Sequence, residues 1–268
     1  MGNRPTINLK FKIVDKQNAE KMLENAEKKD FYLTECNDDR SNSYARRQMT
    51  YSPNTTSMID LRFYTLELDN LKDHIPPRLQ TDLGEVTIIQ LMPTADGGMP
   101  HTRPGNIICY PDIHKISSLT TLVHELWHIH QRIFQDIWKT TFYKLGWTEW
   151  KGKLPSHLEN SRRYNPDTID SPLWAFKDTW VPIPIFNDIT LPKVNDTSIW
   201  FYHIKEHYHS KTIPDEIITL YPNLPQAAYE HPRELTAYML SDSSISRESA
   251  GYKLLINAVG KLSELYDI

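Results

Sequence analysis

Cysteine is scarce in this sequence, and the features that mark membrane-spanning or secreted chains are missing. Cys36 and Cys109 are the only two cysteines in 268 residues, which argues against a disulfide framework and fits a reducing compartment. No apolar run approaches the length of a membrane span, and the polar amino terminus lacks the apolar core of a signal peptide. We therefore expect a cytoplasmic protein without a transmembrane segment.

Neither sign of charge is in large excess, which argues against a dedicated nucleic-acid binder. The formal net charge is −4 and the sequence has no basic cluster, so no nucleic-acid partner is expected. Internal repeats and low-complexity tracts are also absent. Gly2 follows Met1 in a match to the N-myristoylation pattern M-G-x-x-x-[ST], but chance matches to so short a pattern are common, and we do not expect acylation.

The most informative motif is H-E-x-x-H at residues 124–128, inside the helix-favouring stretch 119–134. In an α-helix, positions i and i+4 lie about 40° apart on one face, so His124 and His128 can bind the same metal ion. Glu125 lies about 100° from His124, beside the metal, which is the position of a general base for a water molecule. This pattern is typical of zinc-dependent hydrolysis.

The residues around the motif favour a buried amphipathic helix. Apolar side chains recur at helical spacing opposite the two histidines, and His130 belongs to that apolar side. Gln131 and Arg132 return to the ligand side, where they are candidates for contact with the substrate or with the ligands. The members of the apolar stripe are Leu119, Leu122, Val123, Leu126, Ile129, His130 and Ile133.

Capping residues predict the limits of this helix. Ser117 or Ser118 is a candidate amino-terminal cap, because a serine hydroxyl can accept a hydrogen bond from the first turn. The helical pattern continues through Trp138 towards Lys144, and Gly146 is the expected stop. We therefore expect one long helix that carries the whole motif.

A zinc site of this kind needs a third protein ligand and an open fourth position. The best candidate segment is Gln226–Leu240, in which Pro232 suits the first turn of a second helix. We favour Glu234 as the third ligand, because it lies near the start of that helix and a small residue follows one turn later. Glu230 is the alternative carboxylate, although it precedes the proline and is expected in the entry turn.

The sequence lacks one other zinc-binding pattern and contains a second. The extended form H-E-x-x-H-x-x-G-x-x-H is absent, because Gln131 and Phe134 occupy its glycine and third histidine positions. An inverted H-x-x-E-H order runs from His203 to His207, with His209 nearby. It follows an expected strand and has no apolar face at helical spacing, so we do not expect a metal there. The alternative role for His203, His207 or His209 is that of a donor to a transition state over the first site.

Alternation and composition predict the remaining elements. The run Ser57–Leu68 is assigned as a strand, although its leucine spacing also permits a helix. Asn106–Tyr110 is either the sheet edge on which an extended peptide pairs or plain core. The other expected elements are strands at Thr6–Val14, Glu85–Met92, Leu173–Phe186 and Ser198–Ile204, helices at Lys16–Lys29 and Ser246–Tyr266, and a loop at Thr34–Tyr51.

The motifs together resemble a known class. His124–Glu125–x–x–His128 with the later Glu234-Leu235-Thr236-Ala237 resembles the gluzincin class of zinc metallopeptidases. The fuller set, HELxHxHQR, then RxNPDT at Arg163–Thr168, then HPxE ending at Glu234, is similar to uncharacterised zincin-like peptidases, including those of large DNA viruses. The resemblance implies a zincin-like α+β fold with a small mixed β-sheet, an active-site helix and a second helix carrying the third ligand. It also implies Zn²⁺ as cofactor and hydrolysis of peptide bonds.

The expected organisation has two parts. Residues 1–75 form an amino-terminal α/β segment, either accessory or packed on the core. Residues 76–268 form the zincin-like catalytic domain, with a β-rich insert at about 147–214. The insert either roofs the site or is ordinary sheet.

The expected activity is cleavage of a protein or peptide substrate by a zinc-activated water. Glu125 is expected to take the proton of this water and to deliver it to the leaving amine. The oxyanion needs a second electrophile besides zinc, and the candidates are Tyr238, Tyr229 and, third, His231. The alternative is a catalytically inactive zinc-binding protein of the same fold that acts as a binding, effector or virion component.

Overall fold

The structure, a computed structural model, describes residues 8–36, 51–55, 58–245 and 247–259. It is a mixed α+β fold, which confirms the predicted fold class at that level. The Gly2 motif, most of the loop expected at 34–51 and the end of the last expected helix lie outside the described residues. No helix within the described ranges is long and apolar enough to cross a membrane.

A small mixed sheet forms the centre of the molecule. Three of its strands are parallel and the fourth is antiparallel, in the order β1-β2-β4-β3. The inner strands read as β-branched and apolar runs because both faces of the sheet are covered. The strands are β1 (Lys10–Ile13), β2 (Glu85–Gln90), β3 (His101–Arg103) and β4 (Ile107–Tyr110).

The helices cover both faces of this sheet and carry the functional motifs. They are α1 (Lys16–Asp30), α2 (Tyr32–Glu35), α3 (Met58–Leu71), α4 (Pro77–Asp82), α5 (Leu119–Ile133), α6 (Gln135–Lys144), α7 (Ser156–Asn160), α8 (Asp215–Leu220), α9 (Pro232–Ser241) and α10 (Ala250–Ala258). Short 3-10 turns lie at Lys72–His74, Ala95–Gly98, Ile113–Ser117 and Gln226–Glu230.

Successive side chains of β2 point to opposite faces of the sheet and show which helices cover each face. Val86 and Ile88 point into the main core with Leu122 and Leu126 of α5, whereas Ile89 points to the opposite face. That opposite face is covered by α1, through Ala19, Leu23 and Ala26. Side chains of a strand alternate between faces, so the sheet is sandwiched between α1 and the motif helix. Strand β1 pairs with β2 in the same sheet, and helix α3 packs in the main core.

Strand β4 is not the sheet edge, so of the two roles considered for Asn106–Tyr110 the peptide-pairing one is wrong. It lies between β2 and β3, and all four of its residues are buried. The edge next to β4 is β3, and there the backbone N–H of Thr102 donates to Asp167 Oδ1 at 2.7 Å. The guanidinium of Arg132 contacts the carbonyl oxygen of Thr102. Because side chains already use both groups, an extended peptide cannot pair with Thr102 unless they move aside.

The strand assigned to Ser57–Leu68 is also wrong, because residues 58–68 are part of helix α3. Tyr64 and Leu68, four residues apart, are buried in the main core, whereas Phe63 and Leu66 are exposed. Burial at i and i+4 is helical periodicity. The alternating pattern of the sequence was therefore misleading, and the helical alternative is correct.

The region 147–214 forms a separate antiparallel sheet with the order β5-β6-β7-β8-β9. The expected strand at Leu173–Phe186 is a hairpin instead, because Lys177 and Asp178 adopt positive φ values of 49° and 53° and reverse the chain. The strands are β5 (Trp147–Trp150), β6 (Leu173–Phe176), β7 (Trp180–Phe186), β8 (Thr197–His203) and β9 (Tyr208–Ser210).

The long helix expected from residue 119 towards residue 144 is divided into two. Phe134, with φ −109° and ψ 47°, leaves the helical region between α5 and α6. The indole N–H of Trp138 donates across this break to His130 Nδ1 at 2.9 Å. Gly146 ends the second helix at φ 88°, as predicted.

Candidate metal centre

Helix α5 presents the H-E-x-x-H motif because its back is apolar and its start is capped. The Ser118 hydroxyl accepts a hydrogen bond from the Thr121 N–H at 3.3 Å, so Ser118 rather than Ser117 is the cap. The middle of the predicted apolar side is buried, whereas Ile133 at its end is exposed. His130 lies on the buried part, with Nε2 3.1 Å from Asp82 Oδ2. His130 is therefore held away from the other two histidines.

Helix α9 brings the candidate third ligand to α5. It begins at Pro232, and its amino-terminal cap is His231, whose Nδ1 accepts from the Arg233 N–H at 3.0 Å. Leu235 and Ala237 are fully buried, and the two helices pack against each other. Glu234 lies in the first turn, facing the motif.

Three donor atoms converge between these helices. His124 Nε2 and His128 Nε2 are 3.0 Å apart, and Glu234 Oε2 is 3.3 Å from the first and 3.5 Å from the second. Zinc bonds of about 2.0 to 2.2 Å in a tetrahedral arrangement place neighbouring donors about 3.3 Å apart. The spacing and the donor set therefore fit three corners of a tetrahedral zinc site. Among the described residues this is the one cluster of three such ligands.

Gln131 fixes the orientation of the His128 ring. Its Nε2 donates to the Arg233 carbonyl oxygen and to Thr236 Oγ1, both at 3.0 Å, which leaves Oε1 as the acceptor facing His128. His128 Nδ1 lies 3.0 Å from that oxygen and must therefore carry the proton. The Nε2 lone pair is left free for a metal, and the same amide ties α5 to α9.

Asn165 plays the corresponding role for Glu234. Its Oδ1 accepts from the Asp167 N–H at 3.0 Å, so its Nδ2 is the donor that reaches Glu234 Oε1 at 2.9 Å. One carboxylate oxygen is held by this amide and the other faces the histidines. The side chain is thereby aligned before any metal binds.

The electrostatics of the three ligands are strongly coupled. Burial would lower the pKa of His128, but the surrounding carboxylates of Glu234, Asp167 and Glu125 together outweigh burial and raise that pKa to about 9. Burial would raise the pKa of Glu234, but the two histidines hold it well below its usual range. Without a metal, the cluster is therefore an ion pair of imidazolium and carboxylate.

Glu125 is buried beside the ligands with one oxygen unpaired. The residue is 4% exposed, and its Oε2 has no hydrogen-bond partner. Burial raises the pKa of this carboxyl well above its usual value, and the Asp167 carboxylate adds to the effect, whereas His128 opposes it. Such a group, placed in a cleft, is suited to accept and release a proton.

The ligands open into a cleft of about 280 Å³. Tyr238, one turn after Glu234, lines this cleft, and its ring centroid lies 4.6 Å from that of His124. Burial raises the pKa of Tyr238, so its hydroxyl is protonated at neutral pH. Tyr238 is thus placed to donate a hydrogen bond within the cleft.

Two of the predicted oxyanion donors have other contacts. The Tyr229 hydroxyl donates to the Tyr221 carbonyl oxygen at 2.5 Å, inside the core. His231 uses Nδ1 to cap α9, and its Nε2 lies 3.3 Å from the Pro172 carbonyl oxygen. Neither residue belongs to the cleft lining, so both have structural roles in this arrangement.

The inverted H-x-x-E-H motif lies on the hairpin of β8 and β9 rather than on a helix. His207 occupies the turn at φ 54°, and its Nδ1 lies 2.7 Å from the Tyr202 hydroxyl. His209 stacks on Trp200 with ring centroids 4.8 Å apart. His203 lies at the end of β8. None of these histidines lines the cleft.

Several cleft residues had no role in the sequence-based prediction. Asn165 and Asp167 both line the cleft, and their only signal in the sequence was the RxNPDT segment of the family resemblance. Thr236 supports Gln131 from the second helix. Glu230 is in the entry turn, as expected, and lines the cleft without joining the ligand cluster. No residue of strands β5 to β9 lines the cleft. The region 147–214 reaches the cleft through the turn at 163–167.

The chain matches no protein-family model, no curated protein and no solved structure. The interpretation of the site therefore rests on the geometry of its own residues.

Proposed function

We propose that this protein is a zinc-dependent metallopeptidase of the gluzincin type with a zincin-like fold. The observation that carries the proposal is the convergence of His124, His128 and Glu234 at tetrahedral spacing. The unpaired, buried Glu125 carboxyl in the same cleft supports hydrolysis rather than metal storage. Zinc agrees best with two imidazoles and one carboxylate that leave a fourth position open.

The residues divide the chemistry between them. The three ligands would hold a zinc ion, which would supply positive charge that acidifies a water molecule and favours ionised carboxylates nearby. Glu125 would accept a proton from the water that attacks the peptide bond and later donate it to the leaving amine. Tyr238 donates its hydroxyl proton in a hydrogen bond to the oxyanion. Gln131 and Asn165 position the ligands and take no part in the reaction.

The proposed substrate is a protein or peptide. The cleft is open to solvent, and a volume of about 280 Å³ suits a short stretch of extended chain. Pairing with Thr102 is blocked by Asp167 and Arg132, so the peptide would be held by the cleft side chains rather than by that part of the sheet edge. A cytoplasmic location agrees with Cys36 and Cys109, which are both buried and form no disulfide.

The substitution Glu125→Gln tests the proposal. Gln keeps the size of the side chain but cannot take up a proton, so hydrolysis of a peptide library should be lost while zinc stays bound at one ion per chain. Glu206→Gln, at an exposed position on the β8–β9 hairpin, is the matched control and should retain wild-type activity. Persistent hydrolysis by Glu125→Gln would refute the assignment of the base.

The wild-type protein separates the peptidase from its alternatives. Stoichiometric zinc without cleavage of any library member would support the inactive zinc-binding protein, acting as a binding, effector or virion component. If zinc does not bind stoichiometrically after reconstitution, the metal site itself is wrong. Atomic absorption and a mass-spectrometric cleavage assay give these two measurements.

A further inference from the structure

Glu230 is a buried carboxylate of the cleft that the proposed mechanism does not use. Its side chain is 6% exposed, and its Oε1 has no hydrogen-bond partner. The Asn165 side chain interacts with the same carboxyl, and the other oxygen is 3.7 Å from an Arg163 guanidinium nitrogen, which is beyond hydrogen-bond distance. An unpaired carboxylate oxygen at such a buried position loses its hydration and gains little in return. A ligand with a positively charged donor would supply the missing partner.

The lining of the cleft is rich in carboxyl groups and poor in cationic side chains. Arg163 is its single guanidinium, and it lies closer to Asp96, at 3.1 Å, than to Glu230. One positive charge is thus shared between two carboxylates. The six carboxylates of the lining are Asp96, Glu125, Asp167, Glu230, Glu234 and Asp242.

We propose that Glu230 is the subsite for a positively charged nitrogen of the substrate, an ammonium or a guanidinium. This inference rests on the proposed function and specifies its substrate class: peptides that place a cationic group in the cleft. The free Oε1 accepts the hydrogen bond, and the surrounding carboxylates favour the charge. Two sources supply such a nitrogen, namely the amino terminus of a peptide and the side chain of lysine or arginine.

An anionic ligand is the opposite possibility, since Arg163 Nε is also buried without a partner. Arg163 is flanked by Asp96 and Glu230, however, and a carboxylate that approached it would enter the field of both. Like charges so close together in a buried site repel strongly. The acidic lining therefore favours a cation over an anion.

The experiment uses the full chain, loaded with zinc, and a set of pentapeptides. The peptides have a free or an acetylated amino terminus, a carboxylate or amide carboxyl terminus, and lysine, arginine or uncharged norleucine at each position in turn. Binding to zinc-loaded Glu125→Gln is measured by calorimetry, and cleavage is measured with the wild-type protein. The binding measurement does not require turnover, so it tests the subsite separately from the proposed activity.

A charged hydrogen bond to Glu230 should make cationic peptides bind about tenfold or more tightly than their neutral counterparts. Adding Glu230→Gln to the Glu125→Gln protein should reduce this preference to less than about twofold, with the affinity for neutral peptides unchanged. Adding Glu206→Gln instead should leave the preference intact. Loss of the preference on acetylation identifies the amino terminus as the cation, and loss with norleucine identifies a basic side chain.

Four results would overturn the subsite: equal binding of neutral and cationic peptides, tighter binding of peptides with a free carboxylate, a preference that survives Glu230→Gln, or no binding at all. Circular dichroism and zinc content check that Glu230→Gln is folded, and the wild-type peptide series tests the preference without any change at position 230. Cleavage without a cation preference would refute the subsite and leave the peptidase. A binding preference without cleavage by the wild-type protein would support the subsite and refute the peptidase.

Discussion

His128 Nδ1 lies 3.0 Å from Gln131 Oε1, one helical turn further along α5. The other end of the Gln131 amide is bound to α9 through Arg233 and Thr236. The ligand-bearing helix and the helix of the third ligand are therefore connected by a single side chain. This contact orients the ring of one ligand and at the same time sets the distance to Glu234.

The first prediction concerns this contact. Gln131→Ala removes the acceptor for His128 Nδ1 and should weaken zinc binding by about 10-fold to 100-fold, because an unsupported imidazole must be ordered when the metal binds. Competition with a chromophoric chelator measures the affinity. Gln135→Ala, at an exposed position one turn later, is the control and should bind zinc as the wild type does. Equal affinities for the two variants would contradict the positioning role.

The sequence predicted those parts of the site that depend on neighbours along the chain. The histidine spacing, the apolar back of α5, the Ser118 cap and the start of α9 at Pro232 are all local patterns of helices. The strand β2 was predictable for the same reason, since a β-branched run between turn residues is typical of a buried strand.

The remaining features depend on contacts between distant residues. Asn165 and Glu234 are 69 positions apart, so no spacing rule connects them. Strand β4 is an interior strand because it pairs with β2 on one side and with β3 on the other. The composition of a strand does not determine its partners. At Ser57–Leu68 both periodicities were present, and packing of Tyr64 and Leu68 in the main core selected the helix.

The second prediction distinguishes the two candidate carboxylate ligands. Glu234→Gln replaces a charged donor with a neutral amide and should reduce zinc affinity by more than about 100-fold, which exceeds the effect expected for a supporting residue. Glu230→Gln should retain one zinc per chain, because Glu230 is outside the ligand cluster. Zinc content after dialysis against a weak chelator measures both. Loss of zinc from Glu230→Gln alone would reverse the ligand assignment.

The third prediction is a pH dependence of stability. Burial lowers the pKa of His231 to about 3, whereas an unfolded histidine titrates near 6.5. Between these values the unfolded chain binds a proton that the folded chain does not, so His231 lowers stability as pH falls from about 6.5 towards 3. The maximum slope for one group is about 1.4 kcal/mol per pH unit.

His231→Asn isolates this contribution. Asparagine is a good amino-terminal cap and does not titrate, so the helix start is kept while the proton uptake is removed. Urea unfolding of both proteins in a chelator at pH 7.5, 5.5 and 4.5 should show that the wild type loses more stability on acidification. Parallel curves for the two proteins would show that the His231 pKa is not depressed.

The last prediction concerns the hydroxyl of Tyr238. The ring packs against His124 and should do so equally well as phenylalanine, so Tyr238→Phe should keep its fold, its zinc content and its KM. Loss of one donor to a developing oxyanion costs about 100-fold to 1000-fold in kcat, and a fall of this size is expected if the hydroxyl acts in the transition state. Tyr229→Phe is the comparison, because its hydroxyl bonds to a core carbonyl; it should lower thermal stability and leave kcat unchanged in the folded protein. Full kcat for Tyr238→Phe would exclude Tyr238 as the oxyanion donor.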